Sequence, residues 1–142
     1  APAVVPKEAL AGRILAIDDE DAVLDLEREL LAGAGAEVHC AQNGKEAIRL
    51  LQLHAFDAVV IDSKMPGELD AGDVYHWALK NQPEIASRFV FTISHATETS
   101  VRDFLEEHSL THLEKPFQVS ELISTLRRIL GREKASAVPS AS

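Results

Sequence analysis

Short apolar runs alternate with amphipathic stretches along most of this chain. The runs are rich in β-branched side chains and predict five buried strands, at 13–17, 36–41, 57–61, 89–93 and 110–113. Stretches with apolar residues at helical spacing follow these runs and predict five helices, at 20–34, 43–53, around 74–79, 99–107 and 119–130. Strands and helices that alternate in this way indicate an α/β fold, in which a parallel sheet carries helices on both faces.

The helical spacing also predicts which residues face the sheet and where helices end. In the first helix Val23, Leu26, Leu30 and Leu31 are spaced to form one inward face. Gly131 follows the last apolar residues of the fifth helix and predicts the end of that helix.

Neither end of the chain shows a regular spacing of apolar residues. Residues 1–12 carry two prolines and mostly small side chains, and residues 133–142 are mainly Ala and Ser. Such compositions are typical of linkers. We therefore expect a linker or tail at 1–12, one folded domain at 13–132 and a flexible tail at 133–142. The first residue is Ala rather than Met, which favours a trimmed protein or a piece of a longer one.

Composition and charge narrow the classes of function. The 142 residues, 46% apolar and 26% charged, suit one soluble globular domain. The net charge of −9 argues against direct nucleic-acid contact. Cys40 is the only cysteine, so no internal disulfide is possible. Because the chain has neither an apolar run of membrane length nor a signal-peptide pattern, we expect a cytoplasmic domain without membrane contact.

Charged residues gather where three of the predicted strands end. The first strand runs into Asp18 and Asp19, the third into Asp62, and the fifth into Lys115. These ends meet at one edge of a parallel sheet, where open α/β sheets bind their ligands. Crowded carboxylates repel one another, and Mg²⁺ would relieve the repulsion. With a lysine to contact phosphate oxygens, these groups are the parts needed to form an aspartyl phosphate.

Each of these signals has an ordinary structural explanation when it is taken alone. The acid pair at 18–19 is common as a helix cap, and Asp62 or Lys115 can belong to simple turns. The specificity lies in the combination. A haloacid-dehalogenase-type phosphatase is excluded because Lys64 stands where that family needs its second acid. A dinucleotide-binding motif is excluded because the Gly33–Gly35 pattern leads from a helix into a strand, whereas the motif leads from a strand into a helix.

The combination resembles the receiver domain of two-component response regulators over residues 13–132. The matching motifs are Ile-Asp-Asp-Glu at 17–20, Val-Val-Ile-Asp at 59–62 with Met-Pro-Gly at 65–67, and Leu-Glu-Lys-Pro-Phe at 113–117. The resemblance implies a flavodoxin-like receiver fold, with a five-stranded parallel sheet in the order 2-1-3-4-5 flanked by five helices.

The resemblance also implies a role for each motif residue. Asp62 is the phosphoacceptor, and Lys115 contacts the phosphoryl group. Asp19 and Asp62 bind Mg²⁺ together with the backbone carbonyl of Lys64, while Asp18 orients metal-bound water. The peptide bond between Lys115 and the proline after it is usually cis in the family.

One family position is ambiguous in this sequence. Receivers carry a Thr or Ser at the end of the fourth strand, which bonds to the phosphate and moves on activation. Counting back from Lys115 at the usual spacing reaches Ile93, while Thr92 and Ser94 flank it. Strand alternation points Thr92 and Ile93 to opposite faces. A shift of one residue would bring either Thr92 or Ser94 into place.

These observations predict a signalling domain rather than a turnover enzyme, one that also loses its own phosphoryl group. A histidine kinase or a histidine phosphotransfer protein would donate the group to Asp62. Output would pass through protein contacts, with a possible homodimer through the fourth and fifth helices. The sequence most resembles receivers of hybrid sensor histidine kinases, and a stand-alone regulator is the close competitor. The alternative function is a pseudo-receiver, an interaction module that is not phosphorylated, and Ile93 favours it.

Overall fold

A parallel five-stranded sheet forms the centre of the molecule. The computed structural model describes residues 10, 12–64, 69–94, 97 and 99–137. The strands are β1 Gly12–Ile17, β2 Ala36–Ala41, β3 Ala58–Asp62, β4 Phe89–Ile93 and β5 Thr111–Glu114. They lie in the order β2-β1-β3-β4-β5, and every neighbouring pair is parallel. The predicted fold and strand order are confirmed.

Six helices connect and follow the strands in the described part of the chain. They are α1 Asp21–Gly33, α2 Gly44–Leu53, α3 Ala71–Asn81, α4 Pro83–Ala86, α5 Thr99–Glu107 and α6 Val119–Ala137. The sequence predicted five, and the additional helix is α4. Pro83 follows the C-cap residue of α3, Gln82, and is the first residue of this one-turn helix. A proline fits the first turn of a helix because the N–H group that it lacks has no helical partner there.

The prediction that Gly131 ends the last helix is wrong. α6 continues through Gly131 to Ala137. An internal glycine costs about 1 kcal/mol relative to alanine. The residues that follow it, Arg-Glu-Lys-Ala at 132–135, have high helix propensity, which offsets this cost.

The two predicted tails are described only in part. Leu10 is fully buried, and its backbone N–H donates to the carbonyl oxygen of Ala34 at 3.2 Å. At the other end α6 includes residues 133–137. Residues 1–9 and 138–142, and the Met-Pro-Gly motif at 65–67, lie outside the described residues. None of the described helices combines the length with the apolar character needed to cross a membrane.

Each face of the sheet has its own apolar core. The first face packs against α2, α3, α4 and α5, and the second face packs against α1 and α6. Alternate residues of β4 show the division, since Phe89, Phe91 and Ile93 belong to the first core and Val90 to the second. This division decides the direction of every side chain at the carboxyl edge of the sheet.

Candidate phosphoacceptor site

Three strand ends bring two carboxylates and one ammonium group together, as the sequence predicted. Asp18 follows β1 and is 1% exposed, and Asp62 is the last residue of β3 and is 8% exposed. Lys115 comes directly after β5, whose last residue, Glu114, pairs with Ile93 at the end of β4. Its Nζ lies 3.3 Å from Asp18 Oδ2 and 3.6 Å from Asp62 Oδ2. Lys115 therefore bridges the two buried acids. The peptide bond from Lys115 to Pro116 is cis.

The acid pair at 18–19 does not cap the first helix. Glu20 is the N-cap residue of α1, and no side chain caps that helix. Asp18 Oδ1 instead accepts the N–H of Glu20 at 3.0 Å, and Asp62 Oδ1 accepts the N–H of Lys64 at 3.1 Å. In each buried acid, one oxygen is held by the following backbone and the other contacts Lys115. The carboxylates are therefore oriented by the chain that follows each strand.

A group of oxygen ligands lies beside this bridge. One carboxylate oxygen each from Asp18, Asp19 and Glu20 lie within 4.8 Å of one another. Asp18 is buried, whereas Asp19 and Glu20 are exposed. Hard oxygen donors that are open to water on one side suit Mg²⁺, which keeps several of its waters when it binds to proteins. The donor set thus fits the predicted ion.

The membership of this oxygen group differs from the predicted ligand set. Among the described residues Glu20 belongs to it and Asp62 does not. Glu20 was present in the sequence motif but was not assigned a ligand role. The predicted role of the Lys64 carbonyl oxygen stays a prediction, because the recorded contact of Lys64 is its N–H bond to Asp62.

Burial and charge act against each other in this pocket. Burial raises the pKa of Asp62, while the Lys64 N–H and the Lys115 charge act to lower it. Burial by itself would lower the pKa of Lys115, but the carboxylates of Asp62 and Asp18 outweigh it and the pKa is raised. Lys115 therefore stays charged at neutral pH. Positive charge near Asp62 opposes the effect of burial and favours its ionised form.

The register between β3 and β4 distinguishes the three candidates for the switch position. Thr92 is the partner of Asp62 across the two strands, and alternation places both on the second face of the sheet. Thr92 is 1% exposed, and its Oγ1 is buried without a hydrogen-bond partner among the described residues. Ile93, the counted position, packs in the first core. Counting from Lys115 reaches Ile93, whereas the strand register sets Thr92 beside Asp62.

Ser94 lies beyond the end of β4. Its N–H donates to Thr97 Oγ1 at 2.8 Å, and its carbonyl oxygen accepts from Arg102 Nη2 at 2.6 Å. Arg102 also lies 3.7 Å from Glu114 at the end of β5. Ser94 thus belongs to a loop tied to α5, whereas Thr92 belongs to the strand beside Asp62.

One buried acid near the pocket was missed by the sequence analysis. Glu27 of α1 is 5% exposed, whereas Leu26, predicted to face inward, is 56% exposed. The buried residues of α1 are Leu24, Glu27 and Leu31, which follow helical spacing one position away from the predicted face. The sequence signal for the burial of Glu27 is this spacing, but an apolar pattern does not reveal it because glutamates are almost always exposed in folded proteins.

Glu27 is electrostatically linked to the pocket. Its pKa is raised from 4.5 to about 7, first by burial and then by the charge of Asp18, while Lys115 acts to lower it and Asp62 adds a smaller increase. The group therefore titrates near neutral pH.

Comparison with known proteins agrees with this architecture. A family model described as the response regulator receiver domain matches residues 14–127. The response regulator MprA of Mycolicibacterium vanbaalenii is 34% identical over 120 residues, covering 84% of this chain and 51% of that protein. The sensor protein GacS of Pseudomonas syringae pv. syringae is 30% identical over 139 residues, covering 94% of this chain and 15% of that protein.

Solved structures give the same result. A response regulator receiver domain protein from Clostridium thermocellum superposes with a TM-score of 0.76 and 28% identity, covering 89% of this chain and 98% of that chain. NtrX from Brucella abortus superposes with a TM-score of 0.82 and 25% identity, covering 93% of this chain and 29% of that chain. The chain spans 60% or less of the curated relatives that it matches. On its fold, its pocket and its sequence, the chain belongs to the response regulator receiver domain family.

Proposed function

We propose that this domain accepts a phosphoryl group on Asp62 from a phosphohistidine, with Mg²⁺ bound at the acidic edge of the sheet. The observation that carries the proposal is the position of Lys115, 3.3 Å from Asp18 and 3.6 Å from Asp62. Its ammonium group lies where it would contact the oxygens of a phosphoryl group on Asp62. The oxygen group of Asp18, Asp19 and Glu20 supplies ligands for the cation.

The transfer is a simple exchange of bonds at phosphorus. A carboxylate oxygen of Asp62 forms the new P–O bond while the P–N bond of the phosphohistidine breaks, and the departing imidazole takes up a proton. Lys115 donates hydrogen bonds to the phosphoryl oxygens, and the Lys64 N–H fixes the orientation of the Asp62 carboxylate. When bound, Mg²⁺ supplies neutralisation of the negative charge on the transferring group.

Thr92 is the proposed sensor of the phosphoryl group. Its hydroxyl is buried beside Asp62 and has no hydrogen-bond partner in the described part of the chain, an arrangement that costs about 1–3 kcal/mol. A phosphoryl oxygen on Asp62 would give this hydroxyl an acceptor, so phosphorylation is coupled to the position of β4. The alternative of a non-phosphorylated pseudo-receiver rested on Ile93. Because Ile93 packs in the first core, it no longer supports that alternative.

The proposal extends to partners and context. The curated relatives are named as a sensor protein and as response regulators. Donation by a histidine kinase or a histidine phosphotransfer protein, and a source in a hybrid sensor kinase, follow from that likeness. We place the domain in the cytoplasm, and we propose that its output passes through protein contacts rather than through nucleic acid.

One such contact would be a homodimer through α5 and α6. Sedimentation of the phosphorylated domain tests the homodimer, since a monomer at every concentration contradicts it.

Acetyl phosphate with Mg²⁺, followed by intact-mass measurement, tests the phosphoacceptor assignment. We expect one added phosphoryl group on the wild type and none on Asp62→Ala. Asp103→Ala, an exposed acid on α5, is the matched control and should be modified like the wild type. Equal modification of Asp62→Ala, or no modification of the wild type, would contradict the proposal.

A further inference from the structure

A cavity of about 310 Å³ opens between α3 and α5, on the first face of the sheet. We call it the α3–α5 cavity. Its apolar lining includes Phe91 of β4 and Leu105 of α5, which are buried, and Val101 and Phe104 of α5, which are partly buried. The acids and the lysine of the phosphoacceptor site do not line it. Its volume lies at the lower end of the range for small-molecule sites, about 300–1,000 Å³.

Two carboxylates line the α3–α5 cavity at the start of α3. Asp70 and Asp73 are both exposed. They form the capping box of α3, in which Asp70 Oδ1 accepts the N–H of Asp73 at 2.9 Å and Asp73 Oδ2 accepts the N–H of Asp70 at 3.0 Å. The capping box fixes the position of both groups. Because an ionised carboxylate can accept several hydrogen bonds, each of them can also accept donors from a ligand.

His76 contributes a further acceptor to the lining of the cavity. Its Nδ1 lies 2.8 Å from the carbonyl oxygen of Gly72, so Nδ1 carries the hydrogen and donates it. In the neutral ring Nε2 is then an acceptor. Ser63 also lines the cavity, and its hydroxyl is buried without a hydrogen-bond partner among the described residues. Neither lysine nor arginine is among the described residues that line the cavity. A ligand would therefore have to bring hydrogen-bond donors, and a positive charge is favoured.

We propose that the α3–α5 cavity binds a small organic cation, made of an apolar body and an ammonium group. The body packs against the apolar lining, and the ammonium group donates to Asp70 and Asp73. Phe104 adds attraction, because the face of an aromatic ring favours a cation within about 6 Å. Its ring is centred 5.8 Å from that of His76, so rings from α3 and α5 flank the cavity. Binding requires no phosphoryl group on Asp62, and the inference is independent of the proposed function.

Three probes of similar shape and different charge test the proposal. Tryptamine is a cation, tryptophol is neutral and indole-3-acetate is an anion. Each probe is titrated into the wild type at neutral pH, and the backbone amide signals are followed by NMR. We expect tryptamine to bind about tenfold more tightly than tryptophol, and indole-3-acetate to bind more weakly than either. The signals that shift should belong to residues 70–76 and 100–105.

Two substitutions test the assigned contacts, with the ratio of the affinities for tryptamine and tryptophol as the readout. Asp73→Asn keeps an oxygen that can accept the N–H of Asp70 and removes the charge, so the ratio should fall about threefold. The control Asp103→Asn makes the same change at an exposed position of α5 outside the lining and should keep the ratio of the wild type. Phe104→Leu keeps an apolar side chain and removes the ring, so the ratio should again fall about threefold. A structural disturbance that weakens both probes equally leaves the ratio unchanged.

The outcomes decide for or against the proposal. A preference for tryptamine that falls in Asp73→Asn and persists in Asp103→Asn supports it. Equal affinity for the three probes would show that the cavity accepts apolar groups regardless of charge, which overturns it. Shifted signals confined to other parts of the domain, or no binding of any probe, also overturn it. Modification of Asp62 by acetyl phosphate is measured on the same wild-type sample, so the proposed function is tested separately.

Discussion

The two faces of the sheet are built by the same alternating strands and yet hold different chemistry. The first face is apolar up to the carboxyl edge of β4, where Ile93 is buried. Aromatic rings stabilise it, with the ring of Tyr75 centred 5.6 Å from that of Phe89 and 5.9 Å from that of Phe91. This face packs against four helices, and none of its described core residues belongs to the pocket.

The second face is apolar in the middle of the strands and polar where they end. Asp18, Asp62 and Thr92 continue the alternation that begins with Ile14, Ala58 and Val90. Glu27 adds a further buried polar group from α1. Near the ends of these strands, residues that pack in the apolar core therefore alternate with residues that face the pocket. Substitutions on the two faces should therefore have different consequences.

The largest loss of stability is expected on the first face. Phe91→Ala removes a ring that is 2% exposed and should lower the free energy of unfolding by about 3–5 kcal/mol. Leu79→Ala, at a position that is 47% exposed, should change it by less than about 0.5 kcal/mol. Urea unfolding measures both. Phosphorylation of the folded fraction of Phe91→Ala should persist, and its loss would show that the two faces are not separate.

On the second face, Glu27 should make stability fall as pH rises. Its pKa is raised from 4.5 to about 7 on folding, so the folded state binds the proton more tightly than the unfolded state. The penalty is absent below about pH 4.5, grows as pH rises through the range up to 7, and is complete above it. A shift of this size corresponds to roughly 3 kcal/mol.

Urea unfolding of Glu27→Leu between pH 5 and pH 8 checks this sign. The variant should gain stability over the wild type, and the gain should be larger at pH 8. A gain that is equal at both pH values would mean that the carboxyl group of Glu27 does not titrate in this range.

A smaller effect is expected at Thr92. Thr92→Val replaces by a methyl group a buried hydroxyl that has no partner among the residues described, and it should raise stability by about 1 kcal/mol. Thr125 provides the matched control, since it is also buried but its hydroxyl donates to the carbonyl oxygen of Glu121 at 2.8 Å. Thr125→Val should lose about 1 kcal/mol. Thermal unfolding compares the two, and a loss in both variants would show that the Thr92 hydroxyl has a partner.

The smallest effect is expected at a helix end that belongs to neither face. The side chain of Asn43 accepts the N–H of Glu46 at 2.8 Å and caps α2. Asn43→Ala should therefore cost about 1 kcal/mol and leave phosphorylation unchanged. Unfolding curves and intact-mass measurement check the two parts of this prediction. A loss of phosphorylation would tie the cap to the pocket.

The sheet could be predicted from sequence because its signal is local. Apolar runs at 36–41 and 89–93 became β2 and β4 with the predicted limits, and acids at the strand ends pointed to the pocket. Register between strands is not local, and Thr92 was therefore distinguished from Ile93 only by its pairing with Asp62. Glu27 was missed for a related reason, since its burial depends on how α1 is rotated against the sheet.

Sequence rules for where helices end were incomplete at two positions. Pro83 follows α3 and also begins α4, and Gly131 lies inside α6 because good helix formers follow it. In both cases the residues beyond the supposed terminator decide the outcome.

The central claim is that Asp62 receives the phosphoryl group, and locating the modified residue tests it most directly. The domain is treated with acetyl phosphate and Mg²⁺, the acyl phosphate is reduced with borohydride to leave a stable mark, and the peptides are sequenced by mass spectrometry. We predict homoserine in place of aspartate at position 62 and at no other aspartate. Reduction at Asp18 or Asp19, or unmodified Asp62 in a protein that has gained phosphate, would contradict the account.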